Sequence, residues 1–412
     1  MLSTLFAFGL QVILARQLSP ENYGVLVSVL AFITLIAALA NAGVPGFWLR
    51  VFGTERQLAL RWMPISLKLL AVSLFVFMVV LWMWAFWGPH DDLNRQLLFM
   101  LSPLLIGQVA IDLINAKFQL EERFNLLGLW QLMQNMLRLA SVILLVLFFN
   151  QSIIKLEAVA EAFIMAALIS FVLAYVPLLR LFQGDLKLSS TDIQSIPVHS
   201  VSVSLKEIAT QSYPFAMSGI LYVVYFQSDI ILLNYLDSGS AAGIYNIAFT
   251  VMAAVYIFPN VVYQKFLLPK LHRWKTHDPQ RLESVSRLGN KIMLSIGILV
   301  MLMLWIVVPW LIPRLFGPDY QQAVFYLNIL AVCAPIRFLA SSIASQLLSH
   351  REMRMKVLCM AAVAMINVLL NFLIIPVWGA TGAAVTTLIS EILLLAFFFF
   401  AIKKQRGSSA EN

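Results

Sequence analysis

Arg138, Arg337 and Glu391 each fall near the middle of a long apolar run. An ionisable group at the centre of a bilayer costs at least about 2.5–3.5 kcal/mol on insertion scales, so it is rarely idle. A guanidinium at that depth suits a phosphate or pyrophosphate, because its planar fork grips such oxygens two at a time and never loses its charge. Asp112 and Asp229 lie towards opposite ends of their runs. With Glu391 they are candidates for taking H⁺ or Na⁺, since desolvation makes a carboxylate's charge switchable. Lys68 and Arg50 sit close to one face and Arg16 close to the other. Plainer readings stand beside these. Lys68 can snorkel, Arg50 and Arg16 can anchor an interface, and the mid-depth charges can form one ion pair between two halves of the chain.

Uncharged polar residues repeat at helical spacing around these charges. Gln131, Gln134, Asn135 and Arg138 stand at i, i+3, i+4 and i+7, and Ser218, Tyr222, Tyr225 and Asp229 at i, i+4, i+7 and i+11. Asn246, the pair Asn367 and Asn371, the trio Arg337, Ser341 and Ser345, and the trio Thr387, Ser390 and Glu391 continue the pattern. Lipid cannot satisfy such stripes, so they face either a packed polar seam or a wet cavity.

The elements that must carry these residues follow from composition. Hydrophobic residues make up 61% of the 412-residue chain, charged residues only 12%, and mean hydropathy is +0.87. A soluble chain carries about 25% charged residues. This one has too few to build a polar skin, so it belongs in lipid. At about 20 apolar residues per crossing, the runs predict twelve helices, near 3–18, 24–42, 63–87, 95–115, 125–149, 155–178, 209–236, 241–265, 289–313, 321–348, 355–376 and 379–402. The fold class is therefore all-α integral membrane.

Of the 28 Lys and Arg residues, three lie within spans. The connections and ends divide the rest 21 to 4, with Arg16, Arg95, Lys155 and Arg314 on the poorer side. By the positive-inside rule both termini are cytoplasmic. Placed like this the basic residues act as topology signals, so the net charge of +8 does not point to nucleic acid. The Ser-rich stretch 183–208 reads as a linker. It separates a first lobe, 1–182, from a second, 209–404, with 405–412 as a tail.

The two lobes resemble one another. "ILARQLSPENYGVL" from Ile13 parallels "ILLNYLDSGSAAGIY" from Ile231, and "LSPLLIGQ" from Leu101 parallels "CAPIRFLA" from Cys333. With an even number of crossings per half, this is a parallel repeat about an axis along the membrane normal, a plan found in secondary transporters. Metal chemistry finds no home, because all five histidines fall in connections. Cys333 and Cys359 read as inert thiols.

The opening "ARQLSPENYGVLVSVLAFITLIAALANAGVPGFWLR", the stretch "YFQSDIILLNYLDSGSAAGIYNIAFTV" and the hairpin "LLNFLIIPVWGATGAAVTTLISE" resemble Wzx-type O-antigen and oligosaccharide flippases. These form the polysaccharide-transporter branch of the MOP superfamily, which also holds MATE multidrug exporters and lipid II flippases. The family usually carries several more residues before and within its first helix. The resemblance implies a two-lobed, V-shaped transporter with a cationic cavity in the inner membrane of a bacterium. It would move an undecaprenyl-pyrophosphate-linked oligosaccharide outward, coupled to H⁺ or Na⁺ and without a bound cofactor. Membrane lipids, a polysaccharide polymerase and a chain-length regulator would be its partners. On that reading Arg138, Arg337, Arg50, Lys68, Arg16, Gln131, Gln134 and Asn135 serve the pyrophosphate. Asp229, Glu391 and Asp112 serve the ion, and Tyr222, Tyr225, Asn246, Asn367 and Asn371 line the cavity. A drug or metabolite antiporter of the same fold and a lipid II flippase are the alternatives.

Overall fold

Backbone amides and carbonyls in hydrocarbon have no water to bond, and a helix satisfies them within one segment. The computed structural model describes residues 2–149, 154–187, 204–267, 270–271, 273–274, 278–347 and 350–410, and no strand occurs among them. The helices are α1 (Leu2–Gln17), α2 (Pro20–Ala40), α3 (Val44–Glu55), α4 (Met63–Trp87), α5 (Asp92–Leu101), α6 (Pro103–Leu120), α7 (Phe124–Phe149) and α8 (Leu156–Phe182). They are followed by α9 (Leu205–Leu236), α10 (Gly239–Asn260), α11 (Pro279–Phe316), α12 (Ala323–Ala331), α13 (Cys333–Ala344) and α14 (His350–Ala410).

Nine segments among the described residues are long and apolar enough to cross a membrane alone. The expected crossings reconcile with that number element by element. α14 holds two of them, joined at Gly379, whose φ of 54° and ψ of −140° are not helical. α5 and α6 are long and apolar enough for a crossing only when taken together, and they are bent by 42° at the break between them. α1 is apolar but only 16 residues long. The run expected at 321–348 forms one crossing that breaks between α12 and α13.

Both broken crossings carry one of the paired prolines just past the break. Pro103 is the first residue of α6 and Pro335 lies in the first turn of α13. A proline has no N–H to give back to the preceding turn, so the helix is interrupted there. α3 fills a stretch that reads in sequence as a plain connection. It folds because Val44, Phe47, Trp48, Val51 and Phe52 form one buried stripe, and the Trp48 indole donates to Ser66 Oγ at 2.8 Å.

The chain forms two compact units. One comprises Met1–Leu18 with Leu26–Gln227, the other Ser19–Val25 with Ser228–Asn412. The division falls inside α9, not in the linker expected at 183–208. The first half of α9 stays with the first unit because a Cβ on Gly43 would come within 2.4 Å of Ser212 and Ala216 backbone atoms, which is contact without room for a side chain. Linker residues 188–203 and tail residues 411–412 lie outside the described residues. The linker's first residues are pinned to the first unit. Lys117 bonds Glu121 and reaches the Asp185 carbonyl at 3.5 Å, while the Lys187 N–H donates to Glu121 at 3.3 Å.

In the second unit the first turns of α2 and α10 touch backbone to backbone. A Cβ on Gly24 would stand 1.7 Å from the Gly239 carbonyl oxygen, and one on Gly243 would stand 2.2 Å from that of Pro20.

Candidate functional site

The larger cavity, of about 490 Å³, lies in the first unit between the end of α2, the start of α3, α6 and the first half of α9. One wall is a stripe on α6. Gln108, Asp112, Asn115 and Gln119 stand at i, i+4, i+7 and i+11, so one face of the helix is wholly polar. Across from it are Phe215, Ser218 and Tyr222 of α9. Asn41 closes the end of α2 and donates to Asp112 Oδ2 at 2.6 Å. The amide oxygens of Asn41 and Asn115 are buried and accept from no donor. The wall therefore offers carboxamides, a carboxylate and a hydroxyl, with two aromatic rings beside them. That set hydrogen-bonds polyhydroxylated molecules and stacks on their apolar faces.

Of the residues singled out in sequence, Asp112, Ser218 and Tyr222 line this cavity. The amides of α6 were missed there, although their spacing is visible in "GQVAIDLINAKFQ". No Arg or Lys lines it, so the cationic character implied by the resemblance is not found in this cavity.

The α7 stripe divides between two neighbours. Asn135 donates to Ser3 Oγ of α1 at 2.7 Å, and Ser3 donates to the Gln131 carbonyl at 3.0 Å. Gln134 and Arg138 turn the other way, into a separate small pocket between α6 and α8. The spacing i, i+3, i+4, i+7 spreads over a wide arc, and two helices pack against that arc on different sides.

The second unit holds a polar cluster around Asp229, which is 3% exposed. Its carboxylate accepts from Asn371 Nδ2 at 2.5 Å, Thr387 Oγ1 at 2.6 Å and Tyr245 Oη at 2.8 Å. Asn371 also donates to Asn367 Oδ1 at 3.1 Å, and Asn367 donates to Ser390 Oγ at 3.1 Å. Three helices, α9, α10 and α14, thus hold one carboxylate among oxygen-bearing side chains with no Lys or Arg bonded to it. Asn371 Oδ1 is buried without a donor.

Next to Ser390 on α14, Glu391 is 1% exposed and accepts from Arg337 Nη1 of α13 at 3.1 Å. The guanidinium also lies over the Tyr256 ring at 5.5 Å. Arg337 is therefore neutralised by an ion pair, and that pair lies within one unit rather than between halves. Asn246 donates to Tyr23 Oη at 2.8 Å, and Tyr225 meets Phe226 edge-on. Arg16, Arg50 and Lys68 are exposed, and none of them lines either cavity.

A sequence profile described as "Polysaccharide biosynthesis protein" matches residues 1–274. The chain is 25% identical over 272 residues to the "Probable flippase AglR" of Haloferax volcanii, covering 61% of this chain and 56% of that relative, so the match spans little over half of its length. It is 21% identical over 384 residues to an uncharacterized membrane protein of Methanocaldococcus jannaschii, covering 92% and 89%. Among solved structures it superposes on a lipid II flippase MurJ in an inward closed conformation with a TM-score of 0.72, 13% identity, and coverage of 97% and 86%. An inward-facing MATE family multidrug resistance transporter of the MOP superfamily gives 0.73 at 14% identity, covering 99% and 95%. At these identities the likeness shows the fold.

Proposed function

Because the chain belongs to the polysaccharide biosynthesis protein family, we propose that this multi-pass membrane protein is a flippase for undecaprenyl-pyrophosphate-linked oligosaccharides, O-antigen units or similar. It carries them from the cytoplasmic to the outer leaflet of a bacterial inner membrane, with both termini cytoplasmic. The observation that carries the reading is the cavity of about 490 Å³ walled by Asn41, Gln108, Asp112, Asn115 and Gln119. Carboxamides and a carboxylate can exchange hydrogen bonds with sugar hydroxyls. Tyr222 and Phe215 supply rings for the pyranose faces.

The diphosphate falls to Arg50. It follows Leu49, which lines the cavity, and its exposed side chain is on the same helix as Gly46, another lining residue. The coupling cation, H⁺ or Na⁺, falls to Asp229, with Asn371 and Thr387 as neutral oxygen partners; a buried carboxylate without a basic partner gains most from one positive charge. Cation entry at Asp229 and glycan release from the α6 wall are then the two ends of an alternating-access cycle. A polymerase or chain-length regulator would receive the product on the outer side.

Asp112 favours a second reading, a MATE-like antiporter of organic cations, since a carboxylate in the main cavity attracts them. Purified protein in liposomes decides between the two. Lipid-linked oligosaccharide loaded in one leaflet should become accessible to a glycosidase outside at a rate that falls at least about tenfold in Asn115→Leu/Gln119→Leu, through lost hydrogen bonds. Unchanged glycan flipping in that variant, or uptake of ethidium with no glycan flipping, overturns the proposal.

A further inference from the structure

We infer that the small pocket between α6, α7 and α8 is a binding site for a single halide-sized anion, separate from the glycan cavity. Trp130, Gln134 and Arg138 stand at i, i+4 and i+8 on α7, so all three side chains point from one face into the same space. Each brings hydrogen-bond donors. The Trp130 indole N–H and the Gln134 amide nitrogen are buried, with their residues 6% and 8% exposed, and neither finds an acceptor. The Arg138 guanidinium makes no hydrogen bond or ion pair among the described residues.

The opposite walls offer nothing negative. They include Gly107, Ile111 and Gln108 of α6, the last a wall residue shared with the larger cavity, and Ala167, Ser170 and Ala174 of α8, where the Ser170 hydroxyl is spent on the Ala166 carbonyl at 2.7 Å. No Asp or Glu lines the pocket. The nearest carboxylate along α6, Asp112, lines the other cavity, where Asn41 bonds it.

Three donor-bearing residues, one of them a permanent cation, thus line one pocket where no Asp or Glu supplies a counter-charge. Water would accept the hydrogen bonds but leave the charge at mid-span uncompensated; an anion answers both. Size selects among anions. The open space is about 20 Å³, enough for one occupant of water's dimensions. A diphosphate or a sugar is too large for that space. A chloride-class ion does fit, and it would turn α7 and its two neighbours into one electrostatically closed bundle.

The test uses full-length protein in a neutral detergent, with its melting temperature followed at fixed ionic strength while sodium chloride or sodium bromide replaces sodium gluconate. A saturable rise of several degrees is expected in the wild type and none in Arg138→Gln. Gln134→Leu, which keeps the cation but removes one donor to a charged partner, should move the halide midpoint up by about tenfold or more. It also covers the case in which Arg138→Gln fails to fold. Bromide anomalous scattering should place one peak between Arg138 and Trp130. Equal melting in gluconate and halide, or the same rise in Arg138→Gln, overturns the site. Stabilisation by phosphatidylglycerol in place of halide overturns it too, since the occupant is then a lipid head group.

Discussion

Asp229 and Glu391 are both buried carboxylates on the second unit, but their surroundings assign them different work. Glu391 has a guanidinium at 3.1 Å, while Asp229 has only neutral donors. Removing one member of a buried pair leaves the other uncompensated, at a cost of about 3–5 kcal/mol. Glu391→Gln should therefore lower the melting temperature sharply, and Arg337→Met/Glu391→Met should recover much of the loss. Equal melting of the single and double variants contradicts a stabilising pair. Asp229→Asn keeps the shape and should keep the fold, but glycan flipping should lose its dependence on a Na⁺ or H⁺ gradient. A variant that still responds to the gradient removes Asp229 from coupling. Much of this cluster was legible in sequence, because Asp229, Asn371 and Thr387 are polar residues isolated in apolar runs. The halogen-sized pocket was not. Helical spacing tells which residues share a face of α7 but not which neighbour meets that face, so Asn135 and Gln134 looked alike until α1 and α8 were in place. The amides of α6 escaped for a related reason, since neutral side chains at helical spacing read equally well as a packing seam.

Helices join here at points where one residue type is required. Gly379 links the two crossings of α14 at φ 54°, and a Cβ there would also come within 2.5 Å of Asp237 Oδ2. Gly379→Ala should destabilise by about 1–3 kcal/mol, the cost of holding such a backbone angle. Gly128 in α7 has nothing within 4 Å of a Cβ, so Gly128→Ala should stabilise by up to about 1 kcal/mol as a gain in helix propensity. Melting of the two purified variants checks the pair, and a neutral Gly379→Ala shows that the junction tolerates a side chain. Apolar run length located these crossings well, down to a last helix expected to start at 379. It did not reveal α3, whose buried stripe of Val44, Phe47, Trp48, Val51 and Phe52 is interrupted by Arg50 and Gly46. The breaks near Ser102 and Val332 were legible only as kinks that Pro103 and Pro335 allow, because a proline near the start of a helix is equally compatible with an unbroken one.

At the level of the whole chain, the proposed cytoplasmic placement of both termini rests on the 21 to 4 division of Lys and Arg. A green fluorescent protein fused after Asn412 should fluoresce, and alkaline phosphatase fused there should be inactive; an active phosphatase reverses the orientation. The alternating-access cycle proposed above would ask helices to change their angle repeatedly without unpacking. Side chains on most helix pairs interlock as ridges in grooves, and a change of angle means lifting one ridge over the next. Where Gly24 meets Gly239 and Gly243 the contact is backbone on backbone. Two bare backbones in contact leave no room for even the smallest side chain, so a single methyl group added at Gly24 or Gly243 would wedge that seam apart.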